Sequence, residues 1–397
     1  MSAVPVGPDL PNSRPPDACS DVFGLPGPDA RCQNGAAAVF GTAIHGVAGA
    51  ARPNMRETAW PAEGNSYLFI LSFDGLLHNR RMKSEAPIRF GISSCLLGQK
   101  VRHDGNHQRD RYITLTLRKY FEFVPVCPEV AIGLGVPRPP IRLVGSPDAP
   151  RAVGVADPTF DVTRKLNAYG KRKARTLDDI SGYVLKSRSP SCGIEHVKIY
   201  GPGGHARQGR GVYAATFMAC QPLLPMEEEG RLGDPVLRDN FLERVFAYRR
   251  WQALVESGLT APRFMEFHSA HRLALLTHGE RPYRELGRLV ARIGHRDIGR
   301  VGADYIRLFM AALKYRATPA RHANVLRRAA GYLEKHLKAN EKAELLDRID
   351  AYRRGTPPLA APVTLLRHYV LRHPDPRLST QTYLYPDPSE FTLRYRI

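Results

Sequence analysis

The chain has 397 residues, of which 58 are Lys or Arg and 38 are Asp or Glu, so its formal net charge is +20. A single hydrophobic core stops growing below this length, which predicts at least two domains. Hydrophobic residues make up 43% of the chain, which argues against wholesale disorder. The excess of positive charge favours anionic partners such as nucleotides, nucleic acids or acidic surfaces.

The cysteines and the apolar runs indicate the compartment. None of the six cysteines forms a Cys-x-x-Cys pair, which argues against a zinc ribbon or a disulfide framework and favours a reducing cytoplasm. No run reaches the roughly 18 to 20 apolar residues of a membrane span. The apolar stretch at 36–51 begins too late and lacks the basic segment of a signal peptide. We therefore expect a cytoplasmic protein without membrane contact.

The N-terminal residues 1–84 are rich in Pro, Gly and Ala and have no clear periodicity, which predicts a disordered extension. Met82 stands just before the first convincing strand. An alternative is therefore that translation starts at Met82 and that most of this extension is not translated.

Residues 85–231 alternate strand and helix patterns, which predicts an α/β domain with a mainly parallel sheet. The predicted strands are IRFGIS, FEFVPV, GYVLKS and PLLPME, and the predicted helices lie in RDRYITLTLRKYF, DVTRKLNAYGKRKARTL and GVYAATFMAC. Two Gly- and Pro-rich segments, AIGLGVPRPP and IYGPGGHARQGRG, predict long connecting loops, which often carry functional sites.

Residues 235–397 show helical periodicity with Pro and Gly breaks, which predicts an all-α domain of roughly six or seven helices. His268, His271 and His278 are spaced so that they could bind a metal, although most such histidines are ordinary core or surface groups. Basic residues mixed with Tyr at 321–338 and 369–386 could bind nucleic acid through phosphate contacts and base stacking. A solvated helix face is the alternative explanation.

Three cysteines in the α/β region each follow a predicted strand: Cys95, Cys127 and Cys192. The carboxyl ends of parallel strands line one crevice, so the three can converge although 32 and 65 residues separate them. Three thiolates can hold a 4Fe-4S cluster and leave one iron open, whereas a structural zinc site needs four ligands. Buried structural cysteines are the alternative.

Several neighbours of these cysteines are candidates for catalysis or binding. Glu129 could act as a general acid or base, or could be a surface carboxylate. Ser189 and Ser191 flank Pro190, where a hydroxyl could relay a proton to the substrate or orient it, or could simply form a turn. Basic residues on the same loops could bind a phosphate or nucleotide, or could form a solvated face: Arg102, His103, Arg138, Lys186 and Arg188.

The blocks ISSCLLGQKVRHDG, VPVCPEVAIGLGVPRPPIRL, VLKSRSPSCG, KIYG and GRGVYAA resemble, in this order, the signature blocks of the thiouracil desulfidase family. The resemblance implies a 4Fe-4S enzyme that converts thiouracil compounds, including a thiolated uridine monophosphate, to the oxo base and sulfide. It implies that Cys95, Cys127 and Cys192 are the cluster ligands. It also implies that Glu129 and Ser189 take part in proton transfer.

The helical region resembles the corresponding domain of YbgA-like proteins in HSAHRLALLTHGERPYRELGRLVA, RHANVLRRAAGYLEKHL and VTLLRHYVLRHPDPRLSTQTYLYPDP. This second resemblance supports two domains but implies no activity. We therefore expect a desulfidase that acts on thiouracil, thiolated uridine monophosphate or a similar small compound. The alternatives are a nucleic-acid-binding protein with a structural or sensing cluster, and an enzyme of sulfur transfer on thiolated tRNA.

Overall fold

The computed structural model describes residues 87–201, 205–294 and 297–395, and all of them belong to one structural unit. The extension predicted at 1–84, the start proposed at Met82 and the apolar stretch at 36–51 lie outside these residues. No helix in the described part of the chain combines the length and hydropathy needed to span a bilayer.

The described part of the α/β region contains eight strands. They are β1 (Ile88–Ser93), β2 (Phe121–Val126), β3 (Ile141–Ser146), β4 (Ala149–Gly154), β5 (Gly182–Leu185), β6 (Val197–Tyr200), β7 (Ala206–Gly209) and β8 (Met226–Glu228). The helices between them are α1 (Arg111–Leu115), α2 (Pro128–Ala131), α3 (Thr163–Thr176) and α4 (Val212–Cys220).

The first sheet has the strand order β2-β1-β5-β8, and all its strands are parallel. This confirms the predicted mainly parallel α/β fold. Every residue of β5 is buried, as are the last four residues of β1, as expected for central strands of a covered parallel sheet. Gly91 permits close packing here, because a Cβ on Gly91 would lie 2.8 Å from the Tyr183 ring.

The second sheet has the order β4-β3-β6-β7 and is mixed, because β3 and β6 run parallel while both outer pairs are antiparallel. The sequence analysis did not predict this sheet, and its expectation of a continuous loop at 199–211 was wrong. Strand β7 has the sequence ARQG and is largely exposed, so it carries no apolar alternation that pattern reading could detect.

The remaining described helices form the C-terminal region and confirm the predicted helical region. They are α5 (Pro235–Glu256), α6 (Ala261–Ala270), α7 (Arg272–His278), α8 (Glu280–Val290), α9 (Ile298–Leu313), α10 (Pro319–Gly331), α11 (Ala339–Arg353), α12 (Ala360–Arg372), α13 (Pro376–Ser379) and α14 (Pro388–Tyr395). They outnumber the expected six or seven because the segment 263–279 divides at His271 and because two short helices follow α12.

Helix α5 packs against the parallel sheet. Its start is well specified, because Pro235 is the first helical residue and the Asp234 side chain accepts hydrogen bonds from the first-turn backbone. Phe241 of α5 contacts Phe90 of β1 edge to face at a centroid distance of 6.0 Å, in an apolar cluster that also contains Cys95 and Leu393. The sheet and the helical region therefore share a core.

Candidate active site

The three predicted cysteines lie at the carboxyl ends of neighbouring strands. Cys95 follows β1 in a short 3-10 helix, Cys127 follows β2 and is the N-cap of α2, and Cys192 lies in the loop between β5 and β6. Because β2, β1 and β5 are adjacent in the sheet, this arrangement brings the three side chains to the wall of one cleft of about 1070 Å³.

The three side chains are free thiols in a poorly solvated setting. Burial raises the pKa of the Cys95 thiol to about 11, and it also raises the pKa of Cys127 and, more strongly, of Cys192. Charge on Cys127 would raise the pKa of the other two further, which indicates that the thiols are near one another. Three thiolates in this cleft therefore need a cationic group to stabilise them.

The donor set was compared with the needs of a metal centre. Across residues 87–201, 205–294 and 297–395, no three His, Cys, Asp or Glu side chains are grouped closely enough to hold one metal ion. A 4Fe-4S cluster makes a different demand, because each cysteine binds a separate iron and the sulfurs do not converge on one point. Three thiols around one cleft, with the cations Lys186 and Arg102 close enough to lower the pKa of Cys95, fit such an anionic cluster.

The Cys192 loop is fixed by backbone packing. A Cβ on Gly211 would lie 2.5 Å from the backbone oxygen of Ser191, so only glycine fits there. The Ser189 hydroxyl oxygen accepts hydrogen bonds from the backbone N–H groups of Ser191 (3.2 Å) and Cys192 (3.1 Å). Ser189 thus has the turn role that the sequence offered as its alternative, and its part in proton transfer stays a prediction.

Glu129 lies in the first turn of α2 and lines the cleft. Its Oε2 accepts hydrogen bonds from Nε (3.0 Å) and Nη2 (2.8 Å) of Arg138, and its Oε1 accepts one from the Ser191 hydroxyl (2.9 Å). The Glu129 side chain is 14% exposed and that of Arg138 is 4% exposed. This carboxylate is therefore part of a buried, hydrogen-bonded network rather than of a solvated surface.

Arg138 connects Glu129 to the loop after Cys95. Its Nη1 donates to the backbone oxygens of Val101 (2.9 Å) and Gly135 (3.0 Å), and the Cys127 thiol lies 3.8 Å from the same Val101 oxygen. Arg138 lines the cleft, but its donors are largely used by the protein, which favours a positioning role. Ser191 is fully buried and does not line the cleft, so its predicted substrate contact is not favoured by this placement.

The other predicted cations also line the cleft. Lys186 forms an ion pair with Glu229, and Arg102 lies 3.3 Å from a carboxylate oxygen of Asp104. His103 is exposed at the cleft and offers its side chain to solvent. All three are placed where a bound substrate could reach them, and their predicted contacts stay predictions.

The second sheet adds residues that the sequence analysis did not single out. Arg142 of β3 and Lys198 of β6 line the cleft. The Arg142 guanidinium lies 5.7 Å from the centre of the Tyr200 ring, and among the described atoms its buried Nε has no hydrogen-bond partner. Arg142 and Lys198 lie inside the PRPPIRL and KIYG blocks that carry the family resemblance, so the sequence did mark these segments. Only the pairing of β3 with β6 shows that their side chains reach the cleft.

The histidines considered for a metal site in the helical region are ordinary packed groups. His268 Nδ1 is 3.0 Å from the Tyr305 hydroxyl, His271 Nδ1 is 2.7 Å from the Phe267 backbone oxygen, and His278 Nε2 is 3.1 Å from Glu243. These contacts assign them to the helical core.

Family models match two parts of the chain. Residues 90–229 match the model described as 2-thiouracil desulfurase, and residues 272–388 match a protein family of unknown function, DUF1722. The two matches lie on either side of α5 and α6.

Two individual relatives each match part of the chain. The uncharacterized protein YbgA of Escherichia coli (strain K12) is 35% identical over 158 residues, which are 40% of this chain and 94% of that protein. The uncharacterized protein YbbK of Bacillus subtilis (strain 168) is 31% identical over 140 residues, which are 32% of this chain and 87% of that protein. A solved structure titled 4Fe-4S-dependent thiouracil desulfidase TudS is 28% identical over 37% of this chain and 93% of its own, with a TM-score of 0.28.

Proposed function

Because the chain belongs to the 2-thiouracil desulfurase family and to the DUF1722 family, we propose that it is an enzyme that removes sulfur from a thiolated pyrimidine base and releases it as sulfide. The observation that supports this most directly is the cleft lined both by three thiols, two of them buried, and by an ion-paired glutamate. The net reaction replaces C=S by C=O with water and releases hydrogen sulfide, so it needs no electron donor.

We assign Cys95, Cys127 and Cys192 as the ligands of a 4Fe-4S cluster. Such a cluster, when bound through three thiolates, supplies an open iron that acts as a Lewis acid towards a thiocarbonyl sulfur. Glu129 lines the same cleft and holds its carboxylate in a fixed orientation through Arg138 and Ser191. In the proposal Glu129 accepts a proton from the water that replaces the sulfur.

The charge of the cleft favours a phosphorylated substrate over a free base. Seven Lys or Arg residues line it against two Glu residues. Both glutamates are already engaged, Glu129 by Arg138 and Glu228 by the backbone of the Cys192 loop. Arg142 and Lys198 have no acidic partner in the described structure, so they are available for a phosphate. A thiolated uridine monophosphate is the simplest compound that meets these conditions.

A second candidate is a thiolated base that is part of an RNA. The cleft volume of about 1070 Å³ is at the upper end of small-molecule pockets, and the net charge is +20. This would give the helical region a role in holding the rest of the nucleic acid. It predicts binding that weakens steeply as salt increases.

The test is to reconstitute the cluster anaerobically and to supply 4-thiouridine monophosphate, following the loss of thiocarbonyl absorbance and the release of sulfide. The Cys127→Ser variant should be inactive. The matched control is Cys220→Ala, which removes a buried cysteine of α4 that does not line the cleft.

The outcomes separate the candidates. Turnover that the Cys220→Ala control retains and the Cys127→Ser variant loses would support desulfidation at this cleft. Turnover of thiolated RNA without turnover of the nucleotide would support the second candidate. A protein with a full cluster that leaves free bases, nucleotides and RNA unchanged would contradict both.

A further inference from the structure

Three consecutive glutamates lie where the parallel sheet meets the helical region. Glu227 and Glu228 end strand β8, and Glu229 begins the 3-10 helix that leads to α5. Side chains alternate between the two faces of a strand, so Glu227 and Glu228 point in opposite directions. All three carboxylates are largely buried, and charged groups in such positions need specific partners.

Glu228 and Glu229 hold the Cys192 loop from its two ends. The Glu228 Oε1 accepts hydrogen bonds from the backbone N–H groups of Ile194 (2.7 Å) and Glu195 (3.1 Å). Glu229 accepts hydrogen bonds from the backbone N–H (2.7 Å) and the hydroxyl (2.8 Å) of Ser187. Cys192 lies between these two attachment points, so the two carboxylates limit the movement of its loop.

Glu227 connects this arrangement to the helical region. Its Oε1 accepts a hydrogen bond from Arg231 Nε (2.7 Å), and its Oε2 lies 4.0 Å from Nη2 of Arg244 in α5. Arg231 also reaches back to Glu195 of the Cys192 loop, at 3.0 Å. Arg244 is buried and is oriented by Asn240, whose side-chain oxygen accepts a hydrogen bond from its Nε (3.2 Å).

We propose that Arg244 is a positioning residue for the Cys192 loop and acts through the glutamates Glu227 to Glu229. The consequence is that α5, which lies outside the matched desulfurase residues, maintains the geometry of one of the three thiols. The proposal depends on the proposed function only in taking Cys192 as a cluster ligand. The mechanical part, the restraint of the loop, holds with or without a cluster.

The mechanical part is tested by hydrogen–deuterium exchange on the full-length, cluster-free protein. Arg244→Gln should accelerate exchange of the amides of Ile194 and Glu195 by about fivefold or more, since a lost ion pair of this kind changes a local equilibrium by such a factor. Arg244→Lys should restore most of the protection because it keeps the charge. The matched control is Arg249→Gln, which removes an α5 arginine that pairs with the exposed Glu256.

Unchanged exchange at Ile194 and Glu195 in Arg244→Gln would overturn the proposal. If that variant accelerated exchange throughout the protein, a comparison of Glu228→Gln with Glu228→Leu would show whether the hydrogen bonds of Glu228 restrain the Cys192 loop. Gln retains an oxygen that can accept both N–H groups, and Leu does not. Two results together would support the proposal. Exchange at Ile194 and Glu195 should be faster in Glu228→Leu but not in Glu228→Gln, and the protection that Arg244→Gln loses at these amides should return in Arg244→Lys. Equal protection in both Glu228 variants would overturn it.

The link to the cluster is tested on reconstituted protein by the rate at which a chelator removes iron, followed by the visible absorbance of the cluster. Arg244→Gln should lose the cluster faster than Arg249→Gln. Faster loss in a protein that shows no desulfidase activity would refute the proposed reaction and leave the positioning role in place. Equal loss rates would refute the link between α5 and the cluster.

Discussion

Replacement of Glu129 by Gln should distinguish the catalytic role of this side chain from its role in holding Arg138 and Ser191 in place. Glu129 Oε2 faces Arg138, and Oε1 faces the Ser191 hydroxyl. A glutamine can place its oxygen towards Arg138 and its amide nitrogen towards Ser191, whose hydroxyl can rotate to accept the hydrogen bond. The network then keeps every partner, but the side chain can no longer accept the proton of the attacking water.

The expected magnitudes follow from this geometry. The loss of a general base lowers the rate by about 10² to 10⁴-fold, whereas the neutral substitute, which keeps the hydrogen bonds to Arg138 but loses the negative charge, should cost the fold about 1 to 3 kcal/mol. Glu129→Ala is the contrasting change, since it leaves the Arg138 guanidinium buried without its carboxylate. Breaking a buried pair in this way costs about 3 to 5 kcal/mol.

The assay compares sulfide release, iron content and thermal midpoint in the two variants and the unmodified protein. The Gln variant should bind a full cluster, melt between the Ala variant and the unmodified protein, and turn over slowly. The Ala variant should also melt at a clearly lower temperature. A Gln variant that retains the original rate would refute the role of Glu129 as base, and one that loses its cluster would refute the hydrogen-bond reasoning.

Three further results are expected. Burial lowers the pKa of His268, His271 and His322 to about 4, 3 and 4 from 6.5. At these three sites the unfolded chain therefore takes up more protons than the folded chain as the pH falls below 6.5, so acidification from pH 7 to 5 should lower stability by a few kcal/mol, seen as a lower thermal midpoint, although the raised pKa of His278 offsets part of this loss. Gly211→Ala should reduce iron incorporation, measured per protein, because the new Cβ would meet loop backbone at 2.5 Å. Arg142→Met should raise the KM for thiolated uridine monophosphate about tenfold and leave that for thiouracil unchanged, in steady-state kinetics.

The parallel sheet and the position of the cysteines could be predicted from the sequence because their signals are local. Strands β1 and β2 are short runs of mostly apolar residues, each with one charged residue, and a cysteine within two residues of each strand's end belongs at the carboxyl edge whatever the rest of the fold. The long helices α5 and α9 are equally clear from their starts, because each follows an aspartate whose side chain accepts hydrogen bonds from the first turn.

The second sheet and the glutamate contacts could not be predicted because they depend on pairing between distant segments. Strand β3 pairs with β6, whose residues lie more than 50 positions away along the chain, and neither strand is long. Arg142 reaches the cleft only through that pairing. Glu227 to Glu229 read as an ordinary acidic run, and only the fold places each carboxylate against a different partner.

The apolar cluster around Cys95 draws on three widely separated stretches of chain. It includes Phe90 from the desulfurase match, Phe241 from α5 between the two matches, and Leu393 from α14 beyond the second one. A chimaera in which only the desulfurase segment comes from a homologous protein would therefore combine core residues from two proteins in this one cluster, and those residues would not have evolved together. Covariation across a set of homologues should link these three positions, and recombinants that keep them together should fold more readily than those cut at the family boundary.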